Sequence, residues 1–287
     1  MRYIIEHETV LEYPAPIREH HVELRLTPRE DQHQSLVSLR ITTEPDAELR
    51  SHVDYFGNRV HAFEIIKPHH RLVTRVQAEV ENTLTNPFDY QEVPHSAERD
   101  WIRTALRATP SLHDFVLSRS PATPALDSLA QSLEFPRYEA GHQLLESIKK
   151  AMQWIGETLK YQPGITSVHS TLADVLVSRA GVCQDFAHLL ITIVRSWKVP
   201  ARYVMGYLVA DENREQQFQP ATHAWTEILL PGRGWTGFDA TQQILANGLF
   251  IPVACGRDYL DAAPQRGSFK GDVQGSQPQV SLHISEQ

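Results

Sequence analysis

The chain has 287 residues, 41% of them hydrophobic, enough to bury one large core or two moderate ones. Its formal charge of −8 excludes partners that reward clustered Lys and Arg, namely nucleic acids and anionic membrane surfaces. No window approaches the roughly 18 apolar residues of a membrane span, and Met1 to Glu8 lacks the apolar run of a signal peptide, so a cytoplasmic protein is expected.

Residues 2 to 13 alternate, with Tyr3, Ile5, Thr9, Leu11 and Tyr13 on one side and Glu6, Glu8 and Glu12 on the other, the pattern of a half-buried strand. Val22–Leu26 and Val37–Ile41 repeat it, and Pro14, Pro16, Pro28 and Pro45 are read as falling between strands. Glu48 to Phe56 and Arg59 to Ile66, joined at Gly57-Asn58, predict a hairpin, and Leu72 to Val80 predicts a further strand. Roughly six short strands predict an antiparallel β-sandwich-like domain over residues 1–85. Residues 86–139 form a proline-punctuated connecting region with short helices expected at Glu98–Arg107 and Ala125–Leu133. A longer helix is predicted from His142 to Tyr161, with Leu144, Ile148, Ala151, Met152, Ile155 and Leu159 on one stripe. Thr171-Leu-Ala-Asp174 is a capping-box start for a helix running to Arg179.

The next segment carries the chemistry. Phe186, Ala187, Leu190, Ile193, Val194 and Trp197 recur at helical spacing and predict an amphipathic helix with one buried face, opened by Gly181 and closed by Pro200. Cys183 falls at its start, where unpaired N–H groups and the positive end of the macrodipole favour an anion, hence a thiolate. A free cysteine is only a few per cent ionised at neutral pH, so a base is needed too. A strand at Ala201–Val209, a polar loop at Asp211–Pro220 and a hairpin of Thr222–Leu230 with Gly234–Thr241 follow. His223 and Asp239 lie on opposite arms of that hairpin. Centring the turn on residue 231 sets them face to face, whereas centring it on Pro231–Gly234 slides the register by about three residues. Leu249–Ala254 predicts a last strand, closing a unit over residues 140–262, and the tail at 263–287 reads as loop.

Three motifs, Gly181-Val-Cys-Gln-Asp185 with its helix and Pro200-Ala-Arg-Tyr-Val-Met-Gly-Tyr207, then His223-Ala-Trp225, then Gly237-Phe-Asp-Ala-Thr241, resemble the core of the bacterial transglutaminase-like superfamily. Asp54-Tyr-Phe-Gly-Asn58, Lys67-Pro-His69 and Gly256-Arg-Asp-Tyr-Leu-Asp261 resemble other parts of those proteins. The resemblance implies an α+β, papain-like core, with the Cys-bearing helix packed on an antiparallel sheet, behind a β-rich N-terminal domain. It implies that Cys183 is the nucleophile, His223 the base and Asp239 the orienter of thiol-dependent acyl transfer on a peptide or protein substrate. Water as acceptor gives a cysteine peptidase or amidase, which is the expected outcome. A lysine amine as acceptor gives glutamine cross-linking, and a non-enzymatic interaction module retaining the fold is the contrasting class.

No cofactor or metal is expected. The 15 histidines are scattered without zinc spacing, and no Asp-x-Asp-x-Asp loop suits calcium. A metal site from Cys183, His188 and His223 is a minor alternative. Cys255 reads as structural, and two reduced thiols are expected in place of a disulfide. Asp185 reads as a helix-start charge, His188, about 140° round from Cys183, as packing, and Trp154, Trp197 and Trp235 as core or cleft wall. His169 has no assigned role. The backbone N–H of Cys183 is a candidate oxyanion donor.

Overall fold

The computed structural model describes residues 1–88, 93–129, 133–139, 141–168, 170–209, 222–273 and 277–287. It opens with β1 (Arg2–Leu24), a single strand where two were expected. Pro14 and Pro16 do not end it. They sit exposed where the pairing register shifts between Glu12 and Ile17, a position that tolerates a residue without an N–H. With β2 (Gln34–Glu44), the predicted hairpin of β3 (Arg50–Val53) and β4 (Arg59–Ile65), and β5 (His69–Asn82), it forms an antiparallel sheet in the order β2-β5-β1-β4-β3. The first part of β1 pairs with β5 and the second with β4, so the sheet curls about this one strand.

The connecting stretch contains α1 (His95–Ala108) and α2 (Asp114–Leu117). The helix expected over Ala125–Leu133 is, among the described residues, a 3-10 turn at Leu126–Ser128. The Ser128 hydroxyl donates to the Ala125 carbonyl at 2.6 Å, a local bond that competes with helix continuation. Then come α3 (Leu144–Thr158), β6 (Lys160–Tyr161), α4 (Leu172–Ser178), β7 (Ala180–Gly181) and α5 (Cys183–Ser196). Thr171 caps α4 through the predicted box, its hydroxyl accepting from the Asp174 N–H at 3.2 Å and Asp174 accepting from the Thr171 N–H at 3.0 Å.

The strands β8 (Ala201–Leu208), β9 (His223–Leu230), β10 (Gly234–Asp239), β11 (Ile244–Leu245) and β12 (Phe250–Gly256) form a second antiparallel sheet ordered β11-β10-β9-β8-β12. The polar loop expected at Asp211–Pro220, like His169, lies outside the described residues. Helix α5 is not the one-faced helix the spacing suggests: every residue from Asp185 to Arg195 is buried. It packs on β8 and β9 and also touches α2, α3 and α4, so its polar side chains need internal partners. Arg195 finds them in the carbonyls of Phe115, Ala201 and Arg257 at 3.0, 2.9 and 2.7 Å.

After α6 (Tyr259–Ala262), the tail expected as loop returns as β13 (Gln265–Lys270) and β14 (Gln279–Glu286), both antiparallel to β1. These strands cover the edge of β1 that β4 and β5 leave open, satisfying backbone groups that sequence alone does not flag as exposed. The two sheets share one core, in which Tyr3, Ile5 and Val80 cluster with Ile148, Ile191 and Tyr207.

Candidate active site

The start of α5 is fixed by a small set of contacts. Asp185, three residues into the helix region, accepts at Oδ2 from the Val182 N–H at 2.8 Å and from the Thr166 hydroxyl at 2.7 Å. Burial pushes the Asp185 carboxyl up, against the lowering effect of those two bonds. Its place as a helix-start charge agrees with the sequence reading. A Cβ on Gly181 would lie 2.7 Å from that same Oδ2, so a glycine is what allows the carboxylate to fold back over the helix end. Cys183 is the first residue of the helix and is partly exposed, and its N–H has no carbonyl one turn earlier to bond.

His223 begins β9 and Asp239 ends β10. The turn between them is three residues long, closed by the Arg233 N–H on the Leu230 carbonyl at 3.2 Å with Gly232 at φ +78°. Leu230 therefore pairs with Gly234 and Thr226 with Phe238, and the same register sets Asp239 opposite Trp225. His223 is two residues from Trp225 and so shares its face, diagonal to Asp239 and not opposite it. The side chains bridge the diagonal: His223 Nε2 lies 2.7 Å from Asp239 Oδ2. Asp239 is wholly buried, and its Oδ1 accepts from the N–H groups of Thr241 at 2.9 Å and Gln242 at 3.2 Å, which fixes the carboxylate.

With Nε2 committed to Asp239, Nδ1 is the ring nitrogen left free to act towards Cys183, which is among the groups that raise the imidazole. Burial pulls the His223 pKa down, but the charge and hydrogen bond of Asp239, with the hydrogen bond and charge of Cys183, outweigh it and hold the imidazole at about 10. The ring lies near-parallel to Trp225, centroids 6.2 Å apart, with Phe250 at 6.1 Å. Gly206, paired with His223 across β8, is the close approach that makes room, since a Cβ there would meet the Trp225 ring at 2.5 Å.

The residues read from sequence as structural sit apart from this cluster. His188 accepts the Tyr259 N–H at 3.1 Å and lies 5.0 Å from the Tyr203 ring, and burial takes it down to about 3. It does not join Cys183 and His223. Among the described residues no group of three or more His, Cys, Asp and Glu side chains is placed to hold a metal ion. Cys255 is buried on β12 and both cysteines are free. Trp154 packs on Phe135, Trp197 donates to the Pro136 carbonyl, and Trp235 packs on Phe115. Sequence reasoning missed Thr166 and Tyr161. Nothing in their local spacing marks them, because the parallel pairing of β6 with β7 brings them to the helix start.

The Asp54–Asn58 stretch docks on this half of the molecule. Asn58, fully buried, donates to the Cys255 carbonyl and accepts its N–H, both at 2.8 Å, while Phe56 packs against the buried cluster that includes Val204 and Cys255 and lies against Phe115. Cys183 keeps its partial exposure with this loop in place.

Among the described residues no helix is long and apolar enough to cross a membrane. Residues 3–81 match the bacterial transglutaminase-like N-terminal region and residues 132–240 the transglutaminase-like superfamily. An uncharacterized protein of Mycobacterium leprae is 32% identical over 94% of each chain. A protein-glutamine gamma-glutamyltransferase of Pseudomonas aeruginosa is 32% identical over 95 residues, 30% of this chain and 14% of that one. The fold matches the crystal structure of "a Putative Cysteine Protease from Cytophaga hutchinsonii" with TM-score 0.75 at 22% identity, over 100% of this chain and 91% of that one. An α+β, papain-like core carrying a helix-borne cysteine, behind a β-rich N-terminal region and matched along nearly its whole length, makes the chain a member of the transglutaminase-like superfamily.

Proposed function

We propose that the chain catalyses thiol-dependent acyl transfer through Cys183, His223 and Asp239, with water as the principal acceptor, and so hydrolyses a peptide or amide bond. One observation carries the reading: His223 Nε2 lies 2.7 Å from the buried Asp239, and the imidazole so held is raised further by Cys183, the first residue of a helix. His223, held as the imidazolium, already carries the proton of the pair, and the Cys183 thiolate attacks the substrate carbonyl carbon. The C–N bond breaks, the departing nitrogen takes the proton from the imidazolium, and a thioester remains. Water then loses a proton to His223 and attacks the thioester. The C–S bond breaks, the acid product leaves and releases its proton to solvent as a carboxylate, and the thiolate–imidazolium pair is restored. Asp239 holds the imidazole in one tautomer and supports its charge throughout. The Cys183 N–H, at the helix start, serves as a donor for the oxyanion that each addition creates. Besides substrate and water, these steps use only side chains and a backbone N–H of this chain.

A second reading replaces water with an amine, and the partial match to a protein-glutamine gamma-glutamyltransferase favours keeping it. The test is iodoacetamide labelling from about pH 5 to about pH 9 with mass-spectrometric assignment, on wild type and His223→Ala. Fast labelling of Cys183 that slows in the variant is the expected result. Labelling no faster than a free thiol removes the nucleophile from the scheme. Incubation with a glutaminyl peptide and a fluorescent primary amine separates the acceptors: release of free carboxylate supports hydrolysis, and amine incorporation supports transamidation.

A further inference from the structure

A cavity of about 600 Å³ opens at β11, the edge strand of the second sheet, between α3 and the segment that follows β5. Its volume is that of a small-molecule site. Phe88, Met152, Ile244 and Leu245 give it apolar walls, and no Asp or Glu is among the described residues that line it.

The segment after β5 is held in place to form one wall. The Leu84 N–H donates to Asn82 Oδ1 at 2.9 Å, and Gly248 allows the close approach, since a Cβ on it would lie 2.8 Å from the Leu84 carbonyl. Asn86 then folds its Oδ1 onto the Phe88 N–H at 2.9 Å, and Phe88 is left 55% exposed as a lining residue. Asn247, which also lines the cavity, accepts the Leu249 N–H on its own Oδ1 at 3.0 Å. With both oxygens committed, the two asparagines have their Nδ2 donors to offer. Lys149 adds a positive charge. Its ammonium bonds Glu146 Oε1 at 2.9 Å, and an ammonium has further donors to spare. Donors and one cation set in apolar walls match a molecule with an apolar body and an anionic acceptor at one end; a cation finds no partner there, and a wholly polar molecule leaves the walls unmatched.

The cavity wall continues into the turn that carries Asp239. Ile244 pairs with Asp239 across β11 and β10. Gln243, at φ +60°, donates from Nε2 to the Ala240 carbonyl at 2.5 Å and to the Met152 carbonyl at 2.8 Å, so it ties the residue after Asp239 to α3. A molecule resting on Met152, Gln243 and Ile244 therefore touches the contacts that hold the Asp239 turn in place.

We propose that this cavity binds a small carboxylate with an aliphatic or aromatic body, and that its occupancy is transmitted to Asp239 through Gln243 and Ile244. Binding is read without turnover, so the site stands or falls apart from the acyl-transfer reading of Cys183.

The test is a saturation-transfer NMR titration with decanoate, decanol and decylammonium on wild type, Lys149→Glu and Phe88→Ala, with urea unfolding to show that the variants keep their fold. Decanoate is expected to bind wild type with a Kd of about 10–100 µM, about tenfold tighter than decanol, with decylammonium weakest. Lys149→Glu should bring decanoate to decanol's affinity or below while changing decanol by less than about twofold, and Phe88→Ala should weaken both. No binding of decanoate at about 1 mM, one affinity for all three probes, or decanoate binding unchanged in both variants overturns the site. A Lys149→Glu protein with a lowered unfolding midpoint is replaced by Lys149→Gln, to which the same outcomes apply. Transmission is read as the iodoacetamide alkylation rate of Cys183 near about pH 7 with and without saturating decanoate. A change of at least about twofold in wild type that disappears in Asp239→Asn is expected. An unchanged rate in wild type, or a change that persists in Asp239→Asn, overturns the link to Asp239.

Discussion

Cys183 and Cys255 are both free thiols, and the fold gives them opposite surroundings. Cys183 is partly exposed, first in its helix, and interacts with an imidazole that Asp239 raises to about 10. Cys255 is 1% exposed within a strand, its thiol pushed up by burial and its backbone clamped by Asn58. On the proposed function, reactivity is set by a helix end and a hairpin register, and not by the residue type.

The widest separation between the two regions is expected in turnover. Cys183→Ala removes acyl transfer by about 10⁶-fold, the scale for losing a nucleophile, whereas Cys255→Ala leaves the rate intact and costs about 1 kcal/mol of stability. Steady-state hydrolysis and urea unfolding of the two variants check this; equal loss of activity in both would mean that the nucleophile is misassigned. Next in size is Asp239→Ala, expected to lower kcat by about 10⁴-fold by freeing the imidazole. Cys183 should stay alkylable in that variant, and a variant with near-normal kcat would remove Asp239 from the scheme.

On the Cys255 side, Asn58→Ala orphans the Cys255 N–H and carbonyl together, and also removes an acceptor for Arg29 at 2.6 Å. Each buried orphan costs about 1–3 kcal/mol, so a loss of about 2–6 kcal/mol is expected in urea unfolding. A change below about 1 kcal/mol would mean that the Asp54–Asn58 loop is not the clamp its hydrogen bonds describe.

How much of this was legible in the sequence follows from the range of the interactions. The Thr171–Asp174 box and the helix starting at Cys183 depend on neighbours three and four residues apart, and both were readable. The diagonal placement of Asp239 was not, because it depends on whether the Pro231-Gly-Arg turn closes at Gly234. Pro14 and Pro16 suggested a break that a register shift absorbs. The tail looked like loop because β13 and β14 exist through the open edge of β1, some two hundred and fifty residues earlier in the chain. Polar residues on α5 suggested a wet face. Arg195 and His188 are instead satisfied by carbonyls and an N–H from segments far away in sequence.

The histidines repeat the contrast in a form that pH can read. His7, His20 and His188 are buried and lowered, to about 4, 4 and 3, chiefly by burial. A lowered imidazole stabilises the fold above the unfolded value near 6.5, and that contribution is lost as pH falls through the folded values, because the unfolded chain binds the protons first. His223 runs the other way. Raised to about 10, it contributes fully below 6.5, and the contribution is lost as pH rises through 10. Stability measured by urea unfolding should therefore fall on both flanks. His7→Gln should reduce the acid slope by at most about 1.4 kcal/mol per pH unit, and His223→Gln should flatten the alkaline limb and leave the acid one. An alkaline limb unchanged in His223→Gln would mean that the imidazole is not held cationic in the fold. In that case Cys183 would differ from Cys255 in exposure and helix position alone, without the charge that the proposed nucleophile needs beside it.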